Sequence, residues 1–250
     1  MAKSPPFVLA FAASDPTGGA GVQADLLTLA ARGCHPLSVL TALTVQDTHG
    51  VERVAPVDAA LVAAQARRLL REFRVAAFKL GVLGSAENAA AVAGILAEHS
   101  SAPVVVDPVL ASGRGDALAG EETVATMKRA IFPLAAVATP NTHEAERLGG
   151  VDAILAAGCR YVLLTGTHTE AADVVNRLYD SRGLVREDRW SRLPGSYHGS
   201  GCTLASALAA ALARGLPIAD AARDAQEFTW RALCAGFRPG SGQFIPQRFP

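Results

Sequence analysis

The chain carries no net charge: 23 Lys and Arg balance 23 Asp and Glu, and the pI is close to 7.0. A nucleic-acid-binding surface is usually basic, so no nucleic acid is expected as a partner. No apolar run is long enough to span a bilayer, and no membrane association is expected. The apolar run that opens at Phe7 is too short for the core of a secretory signal. It leads into Asp15-Pro16-Thr17-Gly18-Gly19, a strand-to-loop junction. The four cysteines, Cys34, Cys159, Cys202 and Cys234, show no CxxC or metal-like spacing. Neither a zinc site nor a disulfide framework is implied, and a reducing cytoplasm is the expected location. A GxxxxGK[ST] phosphate loop, a GxGxxG fingerprint, an HExxH pair and a hydrolase triad are all missing. There are no internal repeats and no linker, so residues 1–250 are read as one domain.

Half of the residues are hydrophobic, enough for a sizeable core. Short apolar runs, several rich in Val, read as buried strands over 7–13, 36–45, 75–80, 103–107, 135–139 and 160–165. Helical spacing falls between them, over 19–31, 58–73, 86–99, 120–131 and 141–148. Strand–helix alternation predicts an α/β fold, with a mostly parallel central sheet covered by helices on both faces. The pattern then changes. Residues 173–179 and 184–190, joined by Asp180-Ser181-Arg182-Gly183, predict an antiparallel edge hairpin. Two helices follow, over 201–214 and 218–235, and the Gly- and Pro-rich tail 237–250 is expected to wrap the surface. Ligands of such sheets bind beyond the carboxyl ends of the strands. The loops there are 14–21, 46–50, 81–85, 107–115, 141–144 and 165–168.

Three segments carry chemistry. In His198-Gly199-Ser200-Gly201-Cys202-Thr203, small residues let backbone approach a ligand closely. The helix that follows presents unpaired N–H groups and the positive end of its dipole, an anion site suited to a transferring phosphoryl group. A helix N-terminus typically lowers a thiol pKa from about 8.5; a Cys202 thiolate would then accept a proton from a substrate hydroxyl. The bland alternative is a helix start with an inert, buried Cys. The segment from Ser14 to Asp25 is a Gly-rich strand-to-helix turn, or else a tight turn with Asp15 bonding nearby amides. In Asn141-Thr142-His143-Glu144, Asn141 suits an N-cap with Glu144 at the third helical position. The functional alternative has Asn141 and Glu144 organising Mg²⁺ through its waters, since that ion needs few protein groups. Asp107, ending the Val104-Val105-Val106 run, is a further candidate. His198 is read as structural or as a positioner of the anion loop.

Taken in order, these segments resemble the hydroxymethylpyrimidine/phosphomethylpyrimidine kinase family, ribokinase-like in fold, from about Phe7 to the tail. The resemblance rests on the Ser14–Asp25 segment, Thr41-Ala42-Leu43-Thr44-Val45-Gln46-Asp47-Thr48, Lys79-Leu80-Gly81-Val82-Leu83 and Val106-Asp107-Pro108-Val109. It rests also on Thr139-Pro140-Asn141-Thr142-His143-Glu144-Ala145 and the His198–Thr203 segment. It implies a three-layer α/β/α fold and ATP-dependent phosphorylation of 4-amino-5-hydroxymethyl-2-methylpyrimidine, followed in bifunctional members by phosphorylation of the monophosphate. Gln46 would hydrogen-bond the pyrimidine, with Ala13, Asp25, Val45, Val82 and Val109 lining its pocket. Cys202 takes the position of the base, and Gly199, Ser200 and Gly201 that of the anion hole. Asp107, Asn141, Thr165 and Gly166 would lie along ATP, and Glu144 and Asn141 would order Mg²⁺. A homodimer is implied as well.

Three departures stand out. Val82 replaces a Met that many members place against the substrate. Thr165, in Leu163-Leu164-Thr165-Gly166, replaces a Lys that many place near the phosphates, which would weaken charge stabilisation there. Residues 149–158 are too few for a full helix between the fifth and sixth expected strands. Two alternatives stay open: a pyridoxal/pyridoxine kinase, and a non-catalytic pyrimidine-binding paralogue.

Overall fold

The computed structural model describes residues 4–111, 115–116, 118–166 and 172–249. Residues 112–114 of the loop after the fourth expected strand, and residues 167–168 after the sixth, lie outside the described residues. Among those described, nine strands form one sheet in the order β3-β2-β1-β4-β5-β6-β7-β8-β9. They are β1 (Phe7–Ser14), β2 (His35–Gln46), β3 (Val51–Pro56), β4 (Val75–Leu80), β5 (Val104–Val106), β6 (Val137–Ala138), β7 (Val162–Leu164), β8 (Asp173–Asp180) and β9 (Gly183–Ser191). The six strands from β2 to β7 in that order are parallel.

Each edge is antiparallel. The β8–β9 hairpin was expected; β3, which pairs antiparallel with β2, was not. Val51-Glu52-Arg53-Val54-Ala55-Pro56 is an edge strand with mostly exposed side chains. It therefore lacks the apolar run by which buried strands show themselves. Asp47 makes the connecting turn, its Oδ1 accepting from the amides of His49 and Gly50 at 2.7 and 3.1 Å.

Alternate residues of the central strands feed two cores. Leu9, Phe11, Phe78, Leu80, Val104 and Val106 face one side. There they meet α2 (Ala59–Leu70), α3 (Ala86–Ala97), α4 (Glu121–Thr126, continued by a π-helical turn Met127–Ile131), α6 (Val151–Ala156) and Leu148, which follows α5 (Thr142–Arg147). Val8, Ala77, Val105, Val137 and Leu163 face the other side, against α1 (Gly21–Ala31), α7 (Ser200–Ala213) and α8 (Ile218–Cys234). Period-2 alternation between two helical layers gives the α/β/α sandwich. Caps fix several helix starts: Asp58 Oδ1 accepts from Leu61 N at 3.0 Å, and Ser85 Oγ accepts from Asn88 N at 3.1 Å. Between β6 and β7, the short segment holds two six-residue helices broken at Gly149 and Gly150, with φ of 96° and 93°. The crossover is thus made by α5 together with α6.

Among the described residues no helix is long and apolar enough to cross a membrane.

Candidate active site

The carboxyl ends of adjacent parallel strands bring together residues far apart in sequence. Gln46 ends β2, Ser14 ends β1, and Gly81 and Val82 follow β4. Asp107 and Val109 follow β5, Asn141 follows β6, and Thr165 and Gly166 follow β7. Gln46 Nε2 donates to Thr44 Oγ1 at 2.7 Å, and Thr44 Oγ1 donates to the Ser14 carbonyl at 2.7 Å. This relay fixes the Gln46 amide over the end of β1. Ala13 is buried inside β1, Val45 is exposed on β2, and Val82 and Val109 are half-buried.

The glycine loop before α7 packs onto the one before α1. Gly199 is the left-handed N-cap of α7, with φ 80° and no side chain capping the helix. The first intrahelical bond runs from Thr203 N to Gly199 O at 3.0 Å. The amides of Ser200, Gly201 and Cys202 therefore begin the helix without internal carbonyl partners. Asp15, fully buried, organises the facing loop. It accepts from Thr17 N and Oγ1, each at 2.9 Å, and from Ala20 N at 2.7 Å. His198 Nε2 lies 2.8 Å from Asp15 Oδ2, so it joins the two loops. Burial works against ionisation of Asp15, but His198 and these amides outweigh it and hold the carboxyl below its ordinary value.

Beneath the loops lies a buried charged cluster. Lys79 Nζ contacts both oxygens of Asp25, at 2.8 and 3.0 Å, and neither side chain reaches solvent. Ser206 Oγ donates to Asp25 Oδ1 at 2.8 Å. Burial opposes the Lys79 ammonium, yet the charges of Asp25, Cys202 and Asp107 outweigh it and raise the amine above its usual value. Asp25, expected to line the substrate pocket, is sealed inside this cluster. Asp107 is buried too, and its Oδ2 has no hydrogen-bond partner. A Cβ on Gly201 would lie 3.7 and 3.8 Å from the two Asp107 oxygens, so the carboxylate faces the start of α7. Burial pushes this carboxyl up to about 6 against the pull of Lys79.

One expectation is reversed here. Burial pushes the Cys202 thiol up to about 12, although Lys79 pulls the other way, with Asp107 and Asp25 adding to the rise. Desolvation by the packed floor thus opposes the thiolate that the helix N-terminus would favour.

Asn141 and Glu144 form a complete capping box: Glu144 N donates to Asn141 Oδ1 and Asn141 N to Glu144 Oε2, each at 2.9 Å. Burial and the neighbouring Asp107 push the Glu144 carboxyl up to about 8. Thr165 is buried and bridges in parallel to Asn141, with its amide donating to the Pro140 carbonyl at 3.0 Å. Gly166 N donates to Asn176 Oδ1 at 3.0 Å. A Cβ on Gly166 would strike the Val175 carbonyl at 2.3 Å, so only glycine lets the strand end lie flat on β8.

Two crowded, high-pKa carboxyls, one with an orphaned buried oxygen, suit a hard divalent cation. Among the described residues no cluster of three or more His, Cys, Asp or Glu forms a protein-only metal cage. Mg²⁺ commonly uses one or two carboxylates and keeps its waters, so Asp107 and Glu144 fit it.

Two further residues of the site, Lys79 at the end of β4 and Arg248 of the tail, were not among those the sequence pointed to. Arg248 is buried and bonds to both glycine loops. An isolated Lys or Arg in sequence gives no sign that it will be buried.

A parallel sheet, an uncapped glycine-led helix start and acidic residues across the same edge define a small-molecule kinase of the ribokinase-like fold. The phosphomethylpyrimidine kinase family pattern matches residues 15–247. The hydroxymethylpyrimidine/phosphomethylpyrimidine kinase of Streptomyces coelicolor is 42% identical over 255 aligned residues, spanning 96% of this chain and 93% of that protein. The Rhizobium meliloti protein of the same name is 37% identical, spanning 94% and 93%. The phosphomethylpyrimidine kinase structure from Clostridium difficile aligns with a TM-score of 0.77 and 31% identity, over 92% of this chain and all of that one. The Staphylococcus aureus pyridoxal kinase in complex with AMP-PCP and pyridoxal aligns at 0.87 and 27%, over 99% and 94%. The chain belongs to the phosphomethylpyrimidine kinase family.

Proposed function

We propose that this protein, acting as one cytoplasmic kinase domain in thiamine biosynthesis, transfers the γ-phosphoryl group of ATP to the hydroxymethyl group of 4-amino-5-hydroxymethyl-2-methylpyrimidine. One observation carries the reading. The uncapped amides at Ser200–Cys202 share the sheet edge with the anchored Gln46 amide and the orphaned Asp107 oxygen. Phosphoryl transfer needs positioning and charge neutralisation more than covalent chemistry. Gln46 would orient the heterocycle, and the amides of Ser200, Gly201 and Cys202 would hold the transferring oxygens. Asp107 and Glu144 would hold Mg²⁺, which supplies charge neutralisation at the phosphates. Thr165 and Gly166 would border the nucleotide.

The proton needs a route that suits a thiol near 12. The minor thiolate form of Cys202, favoured by the Lys79 charge against burial, takes the substrate hydroxyl proton late in transfer. The oxygen–phosphorus bond to the acceptor forms as that to ADP breaks.

The test is product analysis with ATP, Mg²⁺ and, in parallel, the unphosphorylated and monophosphorylated pyrimidines. The expected products are the monophosphate and the diphosphate; ATP turnover with neither substrate would refute the reading. A pyridoxal kinase activity is the second reading, supported by the structural likeness to pyridoxal kinases. Side-by-side kcat/KM values separate the two, since buried hydrogen-bonding groups discriminate strongly.

A further inference from the structure

We infer that Arg248 is a positioning residue of the phosphoryl site, holding the two glycine loops in contact from the carboxyl-terminal tail; the inference rests on the kinase reading above. Arg248 is only 2% exposed. Its Nη2 donates to the Gly19 carbonyl at 2.6 Å and its Nε to Thr203 Oγ1 at 3.1 Å. Thr203 Oγ1 spends its proton on the Gly199 carbonyl at 2.8 Å. A continuous relay thus runs from Gly19, through the guanidinium and the Thr203 hydroxyl, to the N-cap of α7.

Two arguments separate this from plain tail anchoring. The tail is already docked by backbone bonds: His198 N donates to Phe244 O at 2.8 Å, Phe244 N to Ser196 O at 2.8 Å, and Gln247 N to Ala232 O at 2.9 Å. Among the described residues, moreover, the guanidinium makes no direct ion pair: Asp25 and Asp15 act on it only at longer range, their oxygens being bonded to Lys79 and His198. Burying a charge without a direct counter-ion costs several kcal/mol, and desolvation holds the Arg248 guanidinium below its ordinary pKa in spite of the distant carboxylates. What the charge does inside is neutralise a carbonyl. The Gly19 oxygen lies against Gly199, beside the amides that would bind an anion, and its lone pairs, left without a donor, would repel that anion. Arg248 turns this oxygen into one end of a charge-assisted bond. Lysine, a single point charge, cannot span both acceptors as a planar fork does.

The experiment compares wild type, Arg248→Lys and Arg248→Ala as full chains, measuring thermal melting and steady-state kinetics with ATP and the pyrimidine. Arg248→Lys is expected to melt close to wild type, to keep the pyrimidine KM within about threefold, and to lose kcat by about 10- to 100-fold. Arg248→Ala is expected to lose at least as much, and added guanidinium ion to restore about tenfold. Wild-type kcat in Arg248→Lys overturns the inference. So does an Arg248→Ala defect that guanidinium leaves unchanged. If wild type itself lacks pyrimidine-dependent ATP turnover, the kinase reading fails and takes this one with it. If wild type turns over and Arg248→Lys matches it, only the role of Arg248 falls.

Discussion

A methyl group on Gly199 would sit 1.9 Å from the carbonyl oxygen of Gly19. The two loops are therefore in backbone contact, and Gly199 also holds a left-handed φ of 80°. Gly199→Ala is expected to lose about 1–2 kcal/mol from backbone conformation alone, with the clash adding to it. Its melting temperature should fall by at least about 2–4 °C, and activity should fall with it. Gly201→Ala is the contrast, because its Cβ would meet only Asp107 at ordinary contact distance. That variant should melt like wild type yet lose turnover. Equal melting of both variants with wild type would remove the close loop packing from the account.

The parallel half of this architecture was legible because buried strands such as Val104-Val105-Val106 are continuous apolar runs between helical patterns. The edge strand Val51–Pro56 was not, since exposure removes the hydrophobic signal and leaves charged residues in alternation with nothing. The capping box at Asn141 and Glu144 was readable from spacing, because cap and partner lie in one turn. The pairing of Lys79 with Asp25, or of Arg248 with Gly19, joins residues separated by 54 and 229 positions. No local pattern encodes such contacts. The protonation of Cys202 failed for a related reason: the helix N-terminus is visible in sequence, but the desolvating packing around it is not.

Cys202 is the group placed at the reacting hydroxyl. Cys202→Ala should lower kcat by about 10²- to 10⁴-fold, the usual contribution of a positioned proton-transfer group. Pyrimidine binding, measured by calorimetry, should survive, because Gln46 is held by Thr44 and Ser14 rather than by the sulfur. Turnover at the wild-type rate would take Cys202 out of the proton route.

The raised carboxyl of Glu144 makes stability depend on pH. Its ordinary value is 4.5 and burial with Asp107 brings it to about 8. The folded state therefore binds the proton more tightly than the unfolded chain. Its contribution is fully present below about 4.5 and is lost as pH rises through about 8. Asp107 adds a smaller loss in the same direction, between 3.8 and about 6. The melting temperature of ligand-free wild type should drop between about pH 5 and about pH 8.5 more steeply than that of Glu144→Gln. The amide keeps an acceptor for the Asn141 N–H, so the cap survives in the variant. Parallel slopes would assign the pH dependence elsewhere.

The Lys79–Asp25 pair separates stability from activity. Both side chains are fully buried, and Ser206 supplies one further bond to Asp25. Lys79→Met leaves a buried carboxylate without its counter-charge, which should cost about 3–5 kcal/mol. Adding Asp25→Leu removes that carboxylate, and the double variant should recover most of the loss, since a buried ion pair replaced by apolar groups is often neutral or stabilising. Activity should not recover. Lys79 is the positive charge that draws the Cys202 thiol and the Asp107 carboxyl toward their ionised forms, and the double variant lacks it. Urea midpoints and kcat/KM for wild type, both single variants and the double variant test this together. A double variant as unstable as Lys79→Met would mean that the pair is not the origin of the stability loss. A stable double variant with wild-type turnover would mean that the buried cation does nothing for the thiol above it.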